Sequence, residues 1–254
     1  MQLENINTRV RPRSNYEAID LGFALTRRWF APLFKLWLLW FLPITAIIYG
    51  LCLPHSPLLA NIIIWCIKPL FDCVLLAFFS HVLFGEQLTW RQSLSFIPKM
   101  LWQSGLWLRW ILLRFDASRS FELPVYQLER LKGKAKRKRL QLLRLKTLSS
   151  AQWLTFICYH IEWIIYISLF MLLLFLTPEM YQQDFWDTVL PQLLSGEQNL
   201  PWMIWLAMVF NIISIAFIEP FYVAGGFMLY LNRRTHLEAW DIELSFRQIA
   251  KRLS

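Results

Sequence analysis

The sequence predicts an all-α polytopic membrane protein. Of its 254 residues, 57% are hydrophobic and only 17% are charged, a balance that is unusual for a soluble domain of this size. Four apolar stretches, 30–53, 57–84, 151–176 and 202–231, are long enough to cross a bilayer, since about 20 helical residues span its hydrocarbon core. We therefore expect one membrane domain, 1–254, built from two helical hairpins.

Segment 14–28 precedes the first span and has the pattern of an amphipathic helix. Ser14 and Glu17 have the spacing of a capping box at its start. Ile19 and Phe23 are four residues apart and contribute to an apolar side. We expect this helix to lie on the cytoplasmic surface of the membrane.

The first two spans are joined by the sequence PHSP at 54–57, which predicts a tight turn. The third and fourth spans form the second hairpin. After them, Thr235 and Glu238 repeat the capping-box spacing. This pattern predicts a separate amphipathic surface helix over 235–253.

Segment 94–115 is aromatic and apolar, but Pro98 and Arg109 interrupt it. If it crossed the membrane, the basic stretch 130–146 would lie on the outer side. We therefore expect an interfacial helix over 101–115, with aromatic rings in the headgroup layer.

The charge of the loops predicts the orientation of the spans. Loop 85–150 contains fourteen Lys and Arg residues, whereas loop 177–200 contains none and has four acidic residues. Cytoplasmic loops carry the excess of Lys and Arg. Both termini and the central loop are therefore expected in the cytoplasm.

Five polar side chains lie deep inside the predicted spans: Lys68, Asp72, His160, Glu162 and Glu219. The three carboxylates each lie about 18 Å from the cytoplasmic end of their span, at 1.5 Å per residue. Lys68 and Asp72 are four residues apart, so they share a helix face and can pair. Ionisable groups inside a membrane are costly and are usually paired or functional.

A short internal repeat accompanies these charges. The sequence IKPLF at 67–71 resembles IEPFY at 218–222, and each places a charged residue directly before a proline. Pro69 and Pro220 are therefore expected to break or kink their helices and free backbone carbonyls. The two hairpins would then form a parallel repeat about an axis along the membrane normal.

Two interpretations of this intramembrane polar cluster stay open. It is either a site for protons, ions or a lipid headgroup, or a staple that fixes the register of neighbouring helices. The sequence favours a non-enzymatic scaffold or partner-binding protein. The alternative is a small transporter or lipid-handling protein that uses the cluster.

A basic cluster in the central loop is a second candidate site. It can be a solvated loop that enforces topology, a contact for anionic lipid or a docking site for an acidic partner. No nucleic-acid-binding module surrounds it. Its residues are Lys132, Lys134, Lys136, Arg137, Lys138 and Arg139.

Motifs for catalysis, cofactors or metals are not found in the sequence. It contains no Walker loop, GxSxG, HExxH or CxxC pattern, and its four histidines are scattered. The four cysteines lie in or beside apolar stretches, as small buried residues do. We therefore expect no enzymatic activity, no cofactor and no metal.

Two segments resemble a known family: RPRSNYEAIDLG at 11–22, and EPFYVAGGF at 219–227 with LNRRTHLEAWDIEL at 231–244. They resemble the membrane region of proteobacterial proteins of domain-of-unknown-function family 4129. More remotely, the ending is similar to the membrane domain of some glycerophosphodiester phosphodiesterases. The longer members of the family continue beyond the position of Ser254.

The resemblance implies a multi-pass protein of the bacterial inner membrane. The family's genes often stand beside genes for a MoxR-type AAA ATPase and von Willebrand A-type proteins. The resemblance therefore implies these proteins, together with membrane lipids, as partners. It provides no catalytic residues, because no activity is established for the family.

Overall fold

The computed structural model describes residues 11–52, 56–83, 114–129, 131, 133–178 and 201–238. These residues are helices and short connections, with no strand among them. Four of the helices are long and apolar enough to cross a membrane. This confirms the prediction of an all-α polytopic membrane protein. The interfacial helix predicted over 101–115 falls almost entirely outside the described residues.

The described helices are labelled in chain order. A π-helical turn, Val125–Glu129, directly continues the fourth helix. The helices are α1 (Asn15–Arg28), α2 (Phe30–Cys52), α3 (Pro57–Leu83), α4 (Arg119–Pro124), α5 (Gly133–Arg144), α6 (Leu148–Leu176) and α7 (Pro201–Glu238).

Helix α1 begins at Asn15, directly after the predicted cap residue Ser14. The Glu17 amide donates a hydrogen bond of 3.2 Å to Ser14 Oγ, which satisfies one of the free N–H groups of the first turn. Its buried face includes Gly22 and Thr26, and Thr26 Oγ1 donates to the carbonyl of Pro220 at 3.3 Å. Helix α1 therefore packs on α7 within the protein.

Helices α2 and α3 form the predicted first hairpin. The rings of Phe41 and Phe71 pack edge to face with their centroids 4.7 Å apart, a favourable geometry for aromatic pairs. Near the turn, the Tyr49 hydroxyl lies 3.1 Å from Asn61 Oδ1 and donates a hydrogen bond to it. Apolar packing and a polar tie therefore hold the two helices together.

The two prolines expected to break their helices do not end them. Helix α3 continues through Pro69 and helix α7 continues through Pro220. A proline removes only one backbone hydrogen bond, and packing of the flanking turns in a membrane helix compensates for its loss. The charged residue before each proline therefore sits inside a continuous helix.

Helix α7 also continues past the expected helix start at Thr235. Thr235 Oγ1 donates to the carbonyl of Leu231 at 3.0 Å, and Arg234 pairs with Glu238 one turn later at 2.6 Å. Thr235 and Glu238 therefore support the same helix and do not cap a new one. The predicted boundary before 235–253 is wrong, and residues after Glu238 lie outside the described part.

The length of α7 explains why it extends beyond the apolar span. Its 38 residues measure about 57 Å at 1.5 Å per residue, whereas the hydrocarbon core is about 30 Å thick. The sequence turns polar at Asn232-Arg233-Arg234. The carboxyl-terminal turns of α7 therefore project from the span and carry polar contacts.

The chain forms two compact units. One contains Met1–Ile157 and Glu219–Ser254, and the other contains Cys158–Ile218. Helices α1 to α5, the start of α6 and the last part of α7 belong to the first unit. The site described next lies entirely within it.

Candidate functional site

Four charged side chains meet inside the first unit, and we call them the quartet: Lys68, Asp72, Arg119 and Glu219. Lys68 Nζ lies 2.7 Å from Glu219 Oε2, and Arg119 Nε lies 2.7 Å from Asp72 Oδ2. Arg119 also reaches Glu219 Oε1 at 3.4 Å. No side chain of the quartet is more than 6% exposed.

The quartet is balanced, with two cations against two carboxylates. Glu219 is shared between Lys68 and Arg119, and Arg119 in turn contacts Asp72. Its members come from α3, α4 and α7. Burying charges is tolerable only when each has an opposite charge close by, so the quartet is stable only when the three helices are assembled.

Asp72 has the least satisfied side chain of the four. It is 0% exposed, and within the described part of the chain neither carboxylate oxygen accepts an aligned hydrogen bond. Its 2.7 Å contact with Arg119 Nε is therefore a charge contact without the direction of a hydrogen bond. Asp72 consequently depends on Arg119 for electrostatic compensation.

Arg119 begins α4, and the turn before it sets its position. The Ser118 amide and hydroxyl both donate to Asp116 Oδ1, at 2.9 and 2.7 Å. The Ser118 hydroxyl also lies 2.8 Å from Glu122 Oε1, which accepts from Arg144 Nε at 2.5 Å. These contacts fix both ends of α4, whose six residues are all buried.

Tyr222 connects α4 to α7 beside the quartet. The Arg119 guanidinium lies 5.2 Å from the centre of the Tyr222 ring, within the range of a cation–π interaction. The Ser120 amide donates to the Tyr222 hydroxyl at 3.2 Å. Arg119 therefore has a packed environment as well as charged partners.

Two glycines permit close approach of helices to α7. A Cβ on Gly226 would overlap the side chain and backbone carbon of Ser120, and a Cβ on Gly22 would lie 2.6 Å from the carbonyl oxygen of Ala224. Real Cβ atoms do not approach backbone so closely. Gly22 therefore lets α1, and Gly226 lets α4, pack directly on α7.

Burial and partners set the pKa values of two groups outside the spans. Burial alone would lower the pKa of Arg119, but Asp72 and Glu219 outweigh it and raise that pKa above its ordinary value. Burial raises the pKa of Glu122 despite hydrogen bonds from Arg144 and Ser118. Arg119 is therefore held as a cation within the quartet.

The structure brings together three of the five predicted polar residues. Lys68, Asp72 and Glu219 meet. The spacing allowed a pair between Lys68 and Asp72, and the 2.7 Å salt bridge joins Lys68 to Glu219. The structure places Glu162, half-buried, and His160, exposed, on α6 in the second unit. Neither residue is a member of the quartet.

Arg119 is the member that the sequence did not identify. Because Arg119 lies in a loop with fourteen Lys and Arg residues, composition does not distinguish it from the other cations of that loop. The available signal is local, since Arg119 follows Asp116 and Ser118, residue types that favour helix starts.

The basic cluster is ordered as a helix, α5, and its cations differ in their surroundings. Lys136 Nζ lies 4.6 Å from the ring centre of Tyr126. Arg139 donates three hydrogen bonds to the two carboxylate oxygens of Glu129, at 2.9 to 3.1 Å, and also contacts Glu238. Lys134, Arg137 and Lys138 are exposed, while Lys132 lies outside the described residues.

Asn232 ties the amino-terminal segment to α7. Its side-chain amide donates to the Arg13 carbonyl at 2.9 Å, and its oxygen accepts from the Arg13 amide at 3.0 Å. His236 Nε2 lies 3.1 Å from the same carbonyl. The Asn232 side chain thus pairs with both the N–H and the C=O of Arg13, as the backbone of a neighbouring β-strand would.

Replacing Asn232 with aspartate should release this segment. The acid keeps the oxygen but loses the donor, so the Arg13 carbonyl loses one partner and a carboxylate is placed beside it. We expect faster trypsin cleavage after Arg13 in the purified variant, since Pro12 protects the bond after Arg11. Gln141→Glu, the same chemical change at an exposed position, is the control, and equal cleavage rates in both variants would contradict the tie.

Comparisons with protein-family models, with curated proteins and with solved structures each find no match to this chain. The family resemblance therefore stays a prediction.

Proposed function

We propose that this protein is a non-enzymatic membrane scaffold of the bacterial inner membrane, with both termini in the cytoplasm. The direct pairing of the quartet supports this most. Its charges contact one another at 2.7 to 3.4 Å and are almost fully buried. Oppositely charged side chains that contact one another across helices in this way hold the helices in place.

The quartet attaches a layer outside the spans to the spans themselves. This layer consists of α1, α4, α5 and the end of α7, and we call it the cytoplasmic layer. Arg119 anchors α4, Arg144 joins α5 to Glu122 of α4, and Arg139 joins α5 to Glu129 and Glu238. A layer tied by buried ion pairs to the spans α3 and α7 is suited to holding a partner at the membrane.

The proposed partner is a cytoplasmic protein of the MoxR-type AAA ATPase or von Willebrand A class. The support for this class is the resemblance at 11–22 and 231–244. Much of the same sequence forms the contacts of the cytoplasmic layer, including those of Asn232 and Glu238.

A second function, a small transporter or lipid-handling protein, is favoured by one observation. Asp72 is fully buried, and its oxygens accept no aligned hydrogen bond within the described residues. A carboxylate in that state is suited to take up and release a proton when its partner moves. The two functions differ in whether the charges themselves are needed.

Replacing the whole quartet with apolar residues separates the two functions. Buried ion networks exchanged for apolar side chains of similar volume often leave stability unchanged or improved. We expect K68M/D72L/R119M/E219L to accumulate in membranes like the wild type, and to complement a strain that lacks the protein. It should also keep any AAA ATPase or von Willebrand A-type partner that co-purifies with the wild type.

The single variant R119M serves as the matched control, because it leaves two carboxylates against one cation and should reduce abundance. Normal abundance of the quadruple variant together with complete loss of complementation would contradict the scaffold and support the transporter.

A further inference from the structure

Helix α5 and Leu145, the first residue of the turn after it, present a continuous exposed face among the described residues. Positions 134, 137, 138, 142 and 145 follow helical spacing and are all exposed. Leu142 is 50% exposed and Leu145 is 59% exposed. We call this the outer face of α5: Lys134, Arg137, Lys138, Leu142 and Leu145.

The opposite face of α5 is used for folding. Leu140 and Leu143 are buried, Lys136 lies over the ring of Tyr126, and Arg139 is bound by Glu129. On this inner face, each of the two cations therefore has a partner within the protein, the Tyr126 ring for Lys136 and the Glu129 carboxylate for Arg139. On the outer face, cations and large apolar side chains are presented together to the surroundings.

The chain places this face beside a membrane entry point. Only the turn 145–147 separates α5 from α6, whose apolar span begins at Leu148. Lys146 in this turn has a φ of 66°, and Asn15 Nδ2 donates to its carbonyl at 3.0 Å. The direction of α5 relative to the first turns of α6 is thus set by a tight, bonded turn.

We propose that the outer face of α5 binds the anionic phospholipids of the bilayer that the protein spans. The three cations contact headgroup phosphates, and the two leucines enter the boundary with the acyl chains. Cations beside exposed large apolar residues are the composition of an interfacial helix, and clustered Lys and Arg next to a span attract anionic lipid. An acidic protein would match the cations, but it would leave two leucines beside the membrane entry unexplained.

The test uses the full chain, purified in dodecyl maltoside, with added phosphatidylglycerol or phosphatidylcholine. We expect phosphatidylglycerol to raise the Tm more than phosphatidylcholine does, and high salt to remove the difference. The variant K134Q/R137Q/K138Q should keep the Tm measured in phosphatidylcholine and lose most of the extra shift. The variant L142S/L145S should lose part of the shift from both lipids.

A matched control keeps the charge of the outer face and changes its side chains. The variant K134R/R137K/K138R retains three cations at the same exposed positions and should keep the phosphatidylglycerol shift. The proposal is overturned if K134Q/R137Q/K138Q keeps the full shift, if the control loses as much, or if inorganic phosphate reproduces it.

Discussion

Replacing Arg119 with alanine should lower the free energy of unfolding by about 3–5 kcal/mol, the cost of removing one partner from a buried charge pair. The change leaves Asp72 fully buried without its cation, and Glu219 with Lys68 as its remaining quartet cation. Unfolding in mixed micelles, followed by circular dichroism, measures the loss. We also expect faster proteolysis of the segment 114–129, because Arg119 anchors it to the spans.

Two further variants distinguish loss of the quartet from a general effect of removing a cation. Arg27 is exposed, so Arg27→Ala should change stability by no more than about 0.5 kcal/mol. Arg119→Lys keeps the charge, but a single ammonium cannot reproduce the guanidinium contacts to Asp72 and Glu219. Its stability should lie between wild type and Arg119→Ala. If Arg119→Ala were as stable as Arg27→Ala, the quartet would not hold the fold.

Replacing Gly226 with alanine should be the second most damaging change, with an expected loss of about 1–3 kcal/mol from overpacking. The added Cβ would overlap Ser120, including its backbone carbon, so α4 must move away from α7. Movement of Ser120 displaces Arg119, the preceding residue. The thermal unfolding temperature of the purified variant measures the loss.

The neighbouring glycine is the matched control. A Cβ on Gly225 would lie 3.2 Å from Leu154 Cδ2 and from Phe23 Cε1, which are ends of side chains that can rotate. Both changes gain the same helix propensity, about 1 kcal/mol relative to glycine. Gly225→Ala should therefore be close to neutral, and equal effects at the two positions would show that α4 is not seated on Gly226.

Combining the two damaging changes tests whether they act through one contact. Gly226→Ala acts by moving α4, and Arg119→Ala removes the ion pairs that hold it. Because they share this element, the double variant should lose less stability than the sum of the single losses. Additive losses would mean that the glycine contact and the quartet are independent.

Several features could be predicted from local sequence because they depend on local physics. The length of an apolar run decides whether a helix can cross a bilayer. Helices α2, α3 and α6 follow the predicted spans closely, and α7 covers its predicted span and continues past it. Ser14 caps α1 because it lies three residues before a free amide of the first turn. Sequence reasoning failed at Thr235, where the same spacing occurs inside a helix.

The pairing of charges could not be predicted in the same way. Four-residue spacing showed that Lys68 can pair with Asp72, but it could not show that Arg119 pairs with Asp72 and contacts Glu219, a residue 100 positions away along the chain. Pro69 and Pro220 were expected to break helices, but packing around them keeps α3 and α7 continuous. Each of these outcomes depends on neighbours that are distant in sequence.

The sequence by itself determined that this is an all-α membrane protein, with four helices long enough to span a bilayer in the part that the structure describes, and that Lys68, Asp72 and Glu219 are buried at a cost. Hydrophobic length and the expense of burying charge are properties of short segments. Only the tertiary structure decided which cation neutralises which carboxylate, and that Arg119 supplies the second positive charge. Electrostatic compensation depends on distances of a few ångströms across helices, and those distances exist only after α3, α4 and α7 have packed.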